Sequence, residues 1–249
     1  MLKEERQAFI MKQINLHNKV LSTDISAMLS ISEDTVRRDL KEMAEEGKVL
    51  KVHGGAIGRS FHYPFDEGNS VYAQAAKKQI AEKTLKLLKN DMVILTGGGT
   101  TMIELAKAIP VNLRATFFTI SPLVALQLVE HPNLTVITIG GQLSRSSHIH
   151  IGASVINQLA EIKVDLCLLG ANGFSIQDGM TESDWEVVQV KRAMLRASKK
   201  MAILSIAEKL NSSQRMKVCD LNQINYLITE LEPDNHFLDA YQHLDLELF

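Results

Sequence analysis

Apolar positions fall at helical spacing from the start of the chain. Ile10 and Ile14, with Val20 further on, predict a first helix over about 3–17. A short polar break leads to Ser22-Thr23-Asp24-Ile25, where Ser22 suits the N-cap and Asp24 lies in a first turn that favours negative charge. Ile25, Met28 and Leu29 give this short second helix one apolar face. After Ser30-Ile31-Ser32 a third helix begins, capped by Ser32 and with Glu33 and Asp34 in its first turn. Val36, Leu40 and Met43, at i, i+4 and i+7, turn inward and leave Arg37, Arg38 and Lys41 outside. Gly47 can stop this helix, and residues 48–53 then alternate basic and apolar side chains as a half-buried strand does.

The pattern changes further on. Residues 57–69 mix Gly, Ser, Pro and aromatics without periodicity and read as a linker on which Phe61, Tyr63 and Phe65 pack against one domain or the other. A helix is expected over 73–88. Beyond it, apolar strand candidates at 92–96, 115–119, 135–139, 164–169, 201–205 and 226–229 alternate with helical stretches at 102–108, 122–130, 154–161 and 184–198. Such alternation predicts an α/β fold with a mostly parallel sheet and helices on both faces. The expected organisation is a winged helix-turn-helix over 1–57, a linker over 58–72 and a larger ligand-binding domain over 73–249.

Composition adds little, because 45% hydrophobic and 22% charged residues are ordinary for a globular chain. The formal net charge of −2 argues against a protein that coats DNA without regard to sequence. Residues 1–60 hold ten Lys/Arg against nine Asp/Glu and the remainder 17 against 20, so the head is the more basic part. Cys167 and Cys219 are far apart with no metal-ligand spacing, and Cys167 reads as a small buried hydrophobe. No disulfide framework, metal or cofactor is expected. The charged N-terminus lacks the apolar core of a signal peptide and no apolar run approaches a membrane span, so a cytoplasmic protein is expected.

Two short helices joined by a tight turn, the second exposing arginines near its start, form the pattern of a helix that enters the major groove of double-stranded DNA. Candidate DNA contacts are Ser22, Thr23, Ser32, Asp34, Thr35, Arg37, Arg38 and Lys41, with Lys48, Lys51 and His53 of the wing set against phosphates. In an α/β sheet, ligands bind beyond the carboxyl ends of the strands. There the chain places Thr96-Gly97-Gly98-Gly99-Thr100-Thr101 ahead of a helix, which can cradle an anion with backbone N–H groups, the helix dipole and two hydroxyls. Thr119, Ser121, Gly140, Gly141, Gly170, Ala171, Asn172 and Gly173 occupy three similar turns. Together they point to a small phosphorylated effector, for which Lys191, Arg192 and Lys209 are candidate counter-charges.

Ser32-Glu33-Asp34-Thr35-Val36-Arg37-Arg38-Asp39-Leu40, followed by Gly47, Leu50 and Val52-His53-Gly54-Gly55-Ala56, resembles the N-terminal signature of the DeoR family of bacterial regulators. The resemblance continues through Ile139-Gly140-Gly141, Leu169-Gly170-Ala171-Asn172-Gly173, Gly179-Met180-Thr181 and Val190-Lys191-Arg192, and spans about residues 3–232. It implies a recognition helix over about 32–44 and a sensor domain similar in fold to ribose-phosphate isomerases. It also implies repression of sugar or nucleoside genes, relieved by a phosphorylated intermediate. Because one winged helix covers a single half-site, a homo-oligomer (dimer or tetramer) is expected. The chain departs from the family pattern at Thr96 or Gly97, at Ile120 and at Ile206, where relatives often carry acids or amides, so an effector with fewer hydroxyl contacts than a hexose phosphate needs is expected. The competing expectation is a sugar-phosphate isomerase, with Asp178, Glu182 or Asp184 as the carboxylate base.

Overall fold

The computed structural model describes residues 1–17, 19–58 and 71–249, and divides into two compact units, Met1–Tyr72 and Ala73–Phe249. The aromatic positions Phe61, Tyr63 and Phe65, and nearly all of the expected linker, lie outside the described residues.

In the first unit α1 (Lys3–His17) is followed by β1 (Lys19–Leu21), α2 (Ser22–Leu29), α3 (Glu33–Glu45), β2 (Val49–Val52) and β3 (Gly55–Gly58). The three strands form an antiparallel sheet in the order β1-β3-β2. Ile10, Ile14, Val20, Ile25, Val36, Leu40 and Met43 make its core, so the apolar spacing read from the sequence is the packed face. Ser32 caps α3 as expected, its hydroxyl accepting from Thr35 N–H at 3.3 Å. Ser22 does not cap α2. β1 runs to Leu21, which takes the N-cap position, and Ser22 is buried with its N–H donating to the Gly54 carbonyl at 2.8 Å. β1 itself is not visible in periodicity, being three residues long. It depends on Gly55, since a Cβ there would lie 1.8 Å from the Val20 carbonyl oxygen. β3 also continues to Gly58, one residue into the stretch read as linker.

The second unit begins with α4 (Gln74–Leu85). Its last expected turn tightens, because Leu87 and Leu88 bond back three residues rather than four. There follow β4 (Val93–Thr96), α5 (Thr100–Ala108), β5 (Ala115–Thr119), α6 (Pro122–Leu128), β6 (Leu134–Thr138), and the hairpin β7 (Gln142–Leu143) and β8 (His150–Ile151). Then come α7 (Ala153–Ala160), β9 (Val164–Gly170), β10 (Gly173–Ser175), β11 (Gly179–Glu182), α8 (Trp185–Ala197) and β12 (Ser198–Leu204). β13 (Met216–Cys219), β14 (Tyr226–Ile228), α9 (Asp239–Gln242) and β15 (Glu247–Leu248) complete it.

Seven strands form one parallel sheet in the order β15-β14-β12-β9-β4-β5-β6. All six expected strands belong to it, and β15 adds the seventh. β10, β11 and β13 form a separate antiparallel sheet that alternation did not predict. Leu95, Cys167, Leu169, Val188, Met194, Ile203 and Leu227 pack in the core. Burial pushes the Cys167 thiol up, and also that of Cys219, to about 11, so both are inert packing groups. Successive strands run one way from β4 through β5 to β6, and the other way from β9 through β12 and β14 to β15. The order therefore reverses between β4 and β9, and in open α/β sheets that reversal opens a crevice at the strands' C-terminal ends.

Candidate functional site

The outer face of α3 carries Ser32, Asp34, Arg37, Arg38 and Lys41 exposed and Thr35 half-buried, while Val36, Asp39, Leu40 and Met43 are buried behind them. Arg37 is held along the helix, donating to Glu33 at 2.7 Å and Asp34 at 3.1 Å. Lys41 lies 3.7 Å from Glu45. Arg38 has no ion pair among the described residues and is the uncommitted cation of the face. On the wing, Lys51 and His53 are exposed and Lys48 pairs with Glu46 at 2.6 Å. Thr23 is exposed with its hydroxyl on Asp24, whereas Ser22 is turned inward beneath Gly54 and leaves the candidate contact face. Behind α3, Arg6 makes a bidentate pair with buried Asp39 at 2.5 and 2.9 Å, which ties the helix to α1.

At the sheet reversal, β4 delivers Thr96 and the three glycines to the start of α5. Gly99 holds φ 105°, and a Cβ on Gly98 would lie 2.5 Å from Ile149 Cγ2 and 3.3 Å from Ser121 Oγ. Only glycine fits that turn, and Thr100 and Thr101 stand half-buried on the first turn of α5. The Thr96 hydroxyl is buried with no hydrogen-bond partner among the described residues. Ser121 lies beside the same turn, and Thr119 supports it, its hydroxyl donating to the Thr96 carbonyl and accepting from Ser121 N–H. Gly140 and Gly141 serve the neighbouring turn instead. Gln158 Nε2 donates to the Gly140 carbonyl at 2.7 Å, and Gly141 N–H donates to His150 Nδ1 at 3.0 Å. Burial lowers the pKa of His150, which keeps Nδ1 an acceptor.

The far wall is β9 with the 170–173 turn at its end. Lys191 is buried, not solvated, and donates to Glu182 Oε2 at 2.7 Å and the Gly170 carbonyl at 3.0 Å. Asn172 donates to the other oxygen of Glu182. Burial pushes the Glu182 carboxyl up, but the Lys191 charge and hydrogen bond, Ser183 N–H and Asn172 outweigh it and hold the pKa low. Lys209 reaches the carbonyl of buried Ala171 at 3.4 Å. Its pKa is pushed down to about 7 by burial and by the charges of Lys77 and Lys191, against the pull of Glu182. Gly173 packs so tightly that a Cβ would meet Thr181 Oγ1 at 2.4 Å. Arg192 donates to the carbonyls of Lys217 and Val218 and joins no cluster.

Lys77 was missed by the sequence reading. It is buried, with its pKa pushed down to about 8 by burial and pulled up by Glu104, itself buried on α5. The signal was present, because Lys77 shares one helical stripe with Ile80, Ala81 and Thr84. Of the carboxylates considered as catalytic bases, Glu182 is paired with Lys191, Asp184 caps α8 and Asp178 accepts from the Ser175 hydroxyl.

A DeoR-like helix-turn-helix domain matches residues 6–60, and the DeoR C terminal sensor domain matches residues 73–231. The chain belongs to the DeoR family of transcriptional regulators. This membership decides for a DNA-binding regulator and against the isomerase expectation. The HTH-type transcriptional regulator GolR of Listeria innocua is 29% identical over 244 residues, covering 97% of this chain and 96% of the relative. The HTH-type transcriptional repressor GlcR of Bacillus subtilis is 29% identical over 250 residues, covering 100% and 96%. Ribose 5-phosphate isomerase from Methanocaldococcus jannaschii is a partial likeness in fold, with TM-score 0.40, 19% identity, and 55% of this chain and 54% of that one covered. Among the described residues no helix is long and apolar enough to cross a membrane, and no group of His, Cys, Asp and Glu could hold a metal ion.

Proposed function

We propose that the chain is a cytoplasmic, homo-oligomeric repressor of a sugar or related carbon-metabolism operon, released from DNA by a phosphorylated metabolite. The observation that carries this reading is the reversal of strand order between β4 and β9, which puts the Thr96–Thr101 turn beside the 170–173 turn. One turn supplies backbone donors and the N-terminus of α5, the other brings Lys191 and Lys209, and the two suit a phosphoryl group together. The exposed face of α3, with Arg37 and Arg38 near its start, supports major-groove reading, and Lys51 on the wing supports phosphate contact. Repression is carried over from the relative GlcR, whose name states it.

A single winged helix covers one half-site, so two-fold pairing of copies supplies the second. Footprinting with the full chain on DNA flanking its own gene, alongside light scattering, tests this. The expected result is two related half-sites about 10 base pairs or a multiple apart, and a dimer or tetramer at micromolar concentration. A monomer with one unrepeated footprint contradicts it.

A further inference from the structure

The turn between β7 and β8 (Ser144–His148) lies against the end of β5 and the Gly98 turn. It is closed by Ser144 N–H donating to the Ile149 carbonyl at 2.9 Å and His148 N–H donating to the Ser144 carbonyl at 3.0 Å. Three contacts hold it to the strand ends. His150 N–H donates to the Ile120 carbonyl at 2.7 Å, Ser121 Oγ donates to the His148 carbonyl at 3.4 Å, and Ile149 occupies the space a Gly98 side chain would need. Ile149 thus touches the turn that receives the anion.

One buried hydroxyl of the hairpin turn, Ser147 Oγ, has no hydrogen-bond partner among the described residues. A buried hydroxyl left unmatched is destabilising, and native structures keep few of them. The turn is also held under strain, because His148 adopts φ 49°, a left-handed conformation costly for a residue with a Cβ. At its head Arg145 is exposed with no ion pair among the described residues, and residues 140–152 contain no acid and three serines. A strained turn with an unmatched hydroxyl and an unneutralised guanidinium beside an anion cradle has the chemistry of a second binding wall.

We propose that the Ser144–His148 turn forms this second wall of the effector crevice, with the Ser147 hydroxyl and the Arg145 guanidinium binding the phosphorylated ligand. The proposal rests on the crevice reading above and adds to it the residues that enclose the ligand. Arg145 supplies a planar, bidentate donor for phosphate oxygens, and the Ser147 hydroxyl gains a hydrogen-bond partner.

The test is calorimetry on the full chain with inorganic phosphate, ribose 5-phosphate and glucose 6-phosphate. It compares the unmodified protein with Ser147→Ala, Arg145→Gln, Arg145→Lys and the cradle variant Thr100→Val/Thr101→Val. For at least one probe Ser147→Ala should weaken binding about fivefold, as loss of one neutral hydrogen bond does. Arg145→Gln should weaken it about tenfold or more, and Arg145→Lys by an intermediate amount. Removing an unmatched hydroxyl should leave the ligand-free melting temperature of Ser147→Ala unchanged or raised, which a structural role would not do. Full affinity in Ser147→Ala and Arg145→Gln, with affinity lost in the cradle variant, overturns the second wall and leaves the crevice standing. A lowered melting temperature that accounts for the weaker binding of Ser147→Ala also overturns it. Failure of the unmodified chain to bind any probe counts against the crevice and the wall together.

Discussion

Arg37 and Arg38 are neighbours in sequence but differ in electrostatic setting. Arg37 shares its charge with Glu33 and Asp34, exposed pairs worth little in stability, whereas Arg38 projects without a carboxylate partner among the described residues. Each arginine-to-alanine change should weaken operator binding by about 1–3 kcal/mol and relax specificity at one base pair. A mobility-shift titration checks this, and unchanged affinity in both variants would contradict the recognition-helix assignment. One position inward, Asp39 faces Arg6 with side-chain exposures of 4% and 14%. Asp39→Ala leaves a largely buried guanidinium unpaired and should cost the first unit about 3–5 kcal/mol, read by urea unfolding. The place of Asp39 was legible, since it shares the inward face with Val36, Leu40 and Met43. Its partner was not, because Arg6 lies 33 residues away and periodicity reports only what a helix does to itself.

At the scale of elements, what repeats at a fixed period could be read and what depends on distant contacts could not. Six strands of the parallel sheet showed as apolar runs between helices. β1, β7, β8 and β15 are two or three residues each and exist because another strand offers a ladder. The glycine-rich turns were legible as turns, but their different duties were not. Gly98 borders the crevice, whereas the backbone groups of Gly140 and Gly141 are engaged by Gln158 and His150. Lys191 was legible as a candidate counter-charge, but its partner Glu182 was not, because only the fold of β11 brings that carboxylate within reach.

The same elements set a pH dependence. Lys77 and Lys209 titrate near 8 and 7, well below the ordinary 10.5, so from those values up to about 10.5 the unfolded chain binds more protons than the folded one. The second unit should therefore gain stability as pH rises through that window. The contribution is complete above 10.5 and is lost as pH falls through the folded values. A bound anion reverses the preference by favouring the charged ammonium groups. Binding of a sugar phosphate near Lys209 should then take up protons above pH 7 and weaken as pH rises. Calorimetry in two buffers of different ionisation heat measures the uptake, and a buffer-independent heat at pH 8 contradicts it.

Over the whole molecule, a helix-turn-helix domain is joined to a sensor domain, and a regulator of the proposed kind works only if the ligand has different affinities for the DNA-competent and DNA-incompetent states. A tenfold loss of operator affinity requires about 1.4 kcal/mol of that coupling, well within what one phosphoryl contact can supply. The most direct measurement titrates operator DNA with the full chain, with and without each of a panel of sugar phosphates and other phosphorylated metabolites. It is repeated with Thr100→Val/Thr101→Val. At least one phosphorylated compound should weaken operator binding tenfold or more in the unmodified chain. The double variant should still bind the operator but no longer respond. An effector that acts equally well on the double variant, or operator binding indifferent to every phosphorylated compound, would contradict a repressor released through this cradle.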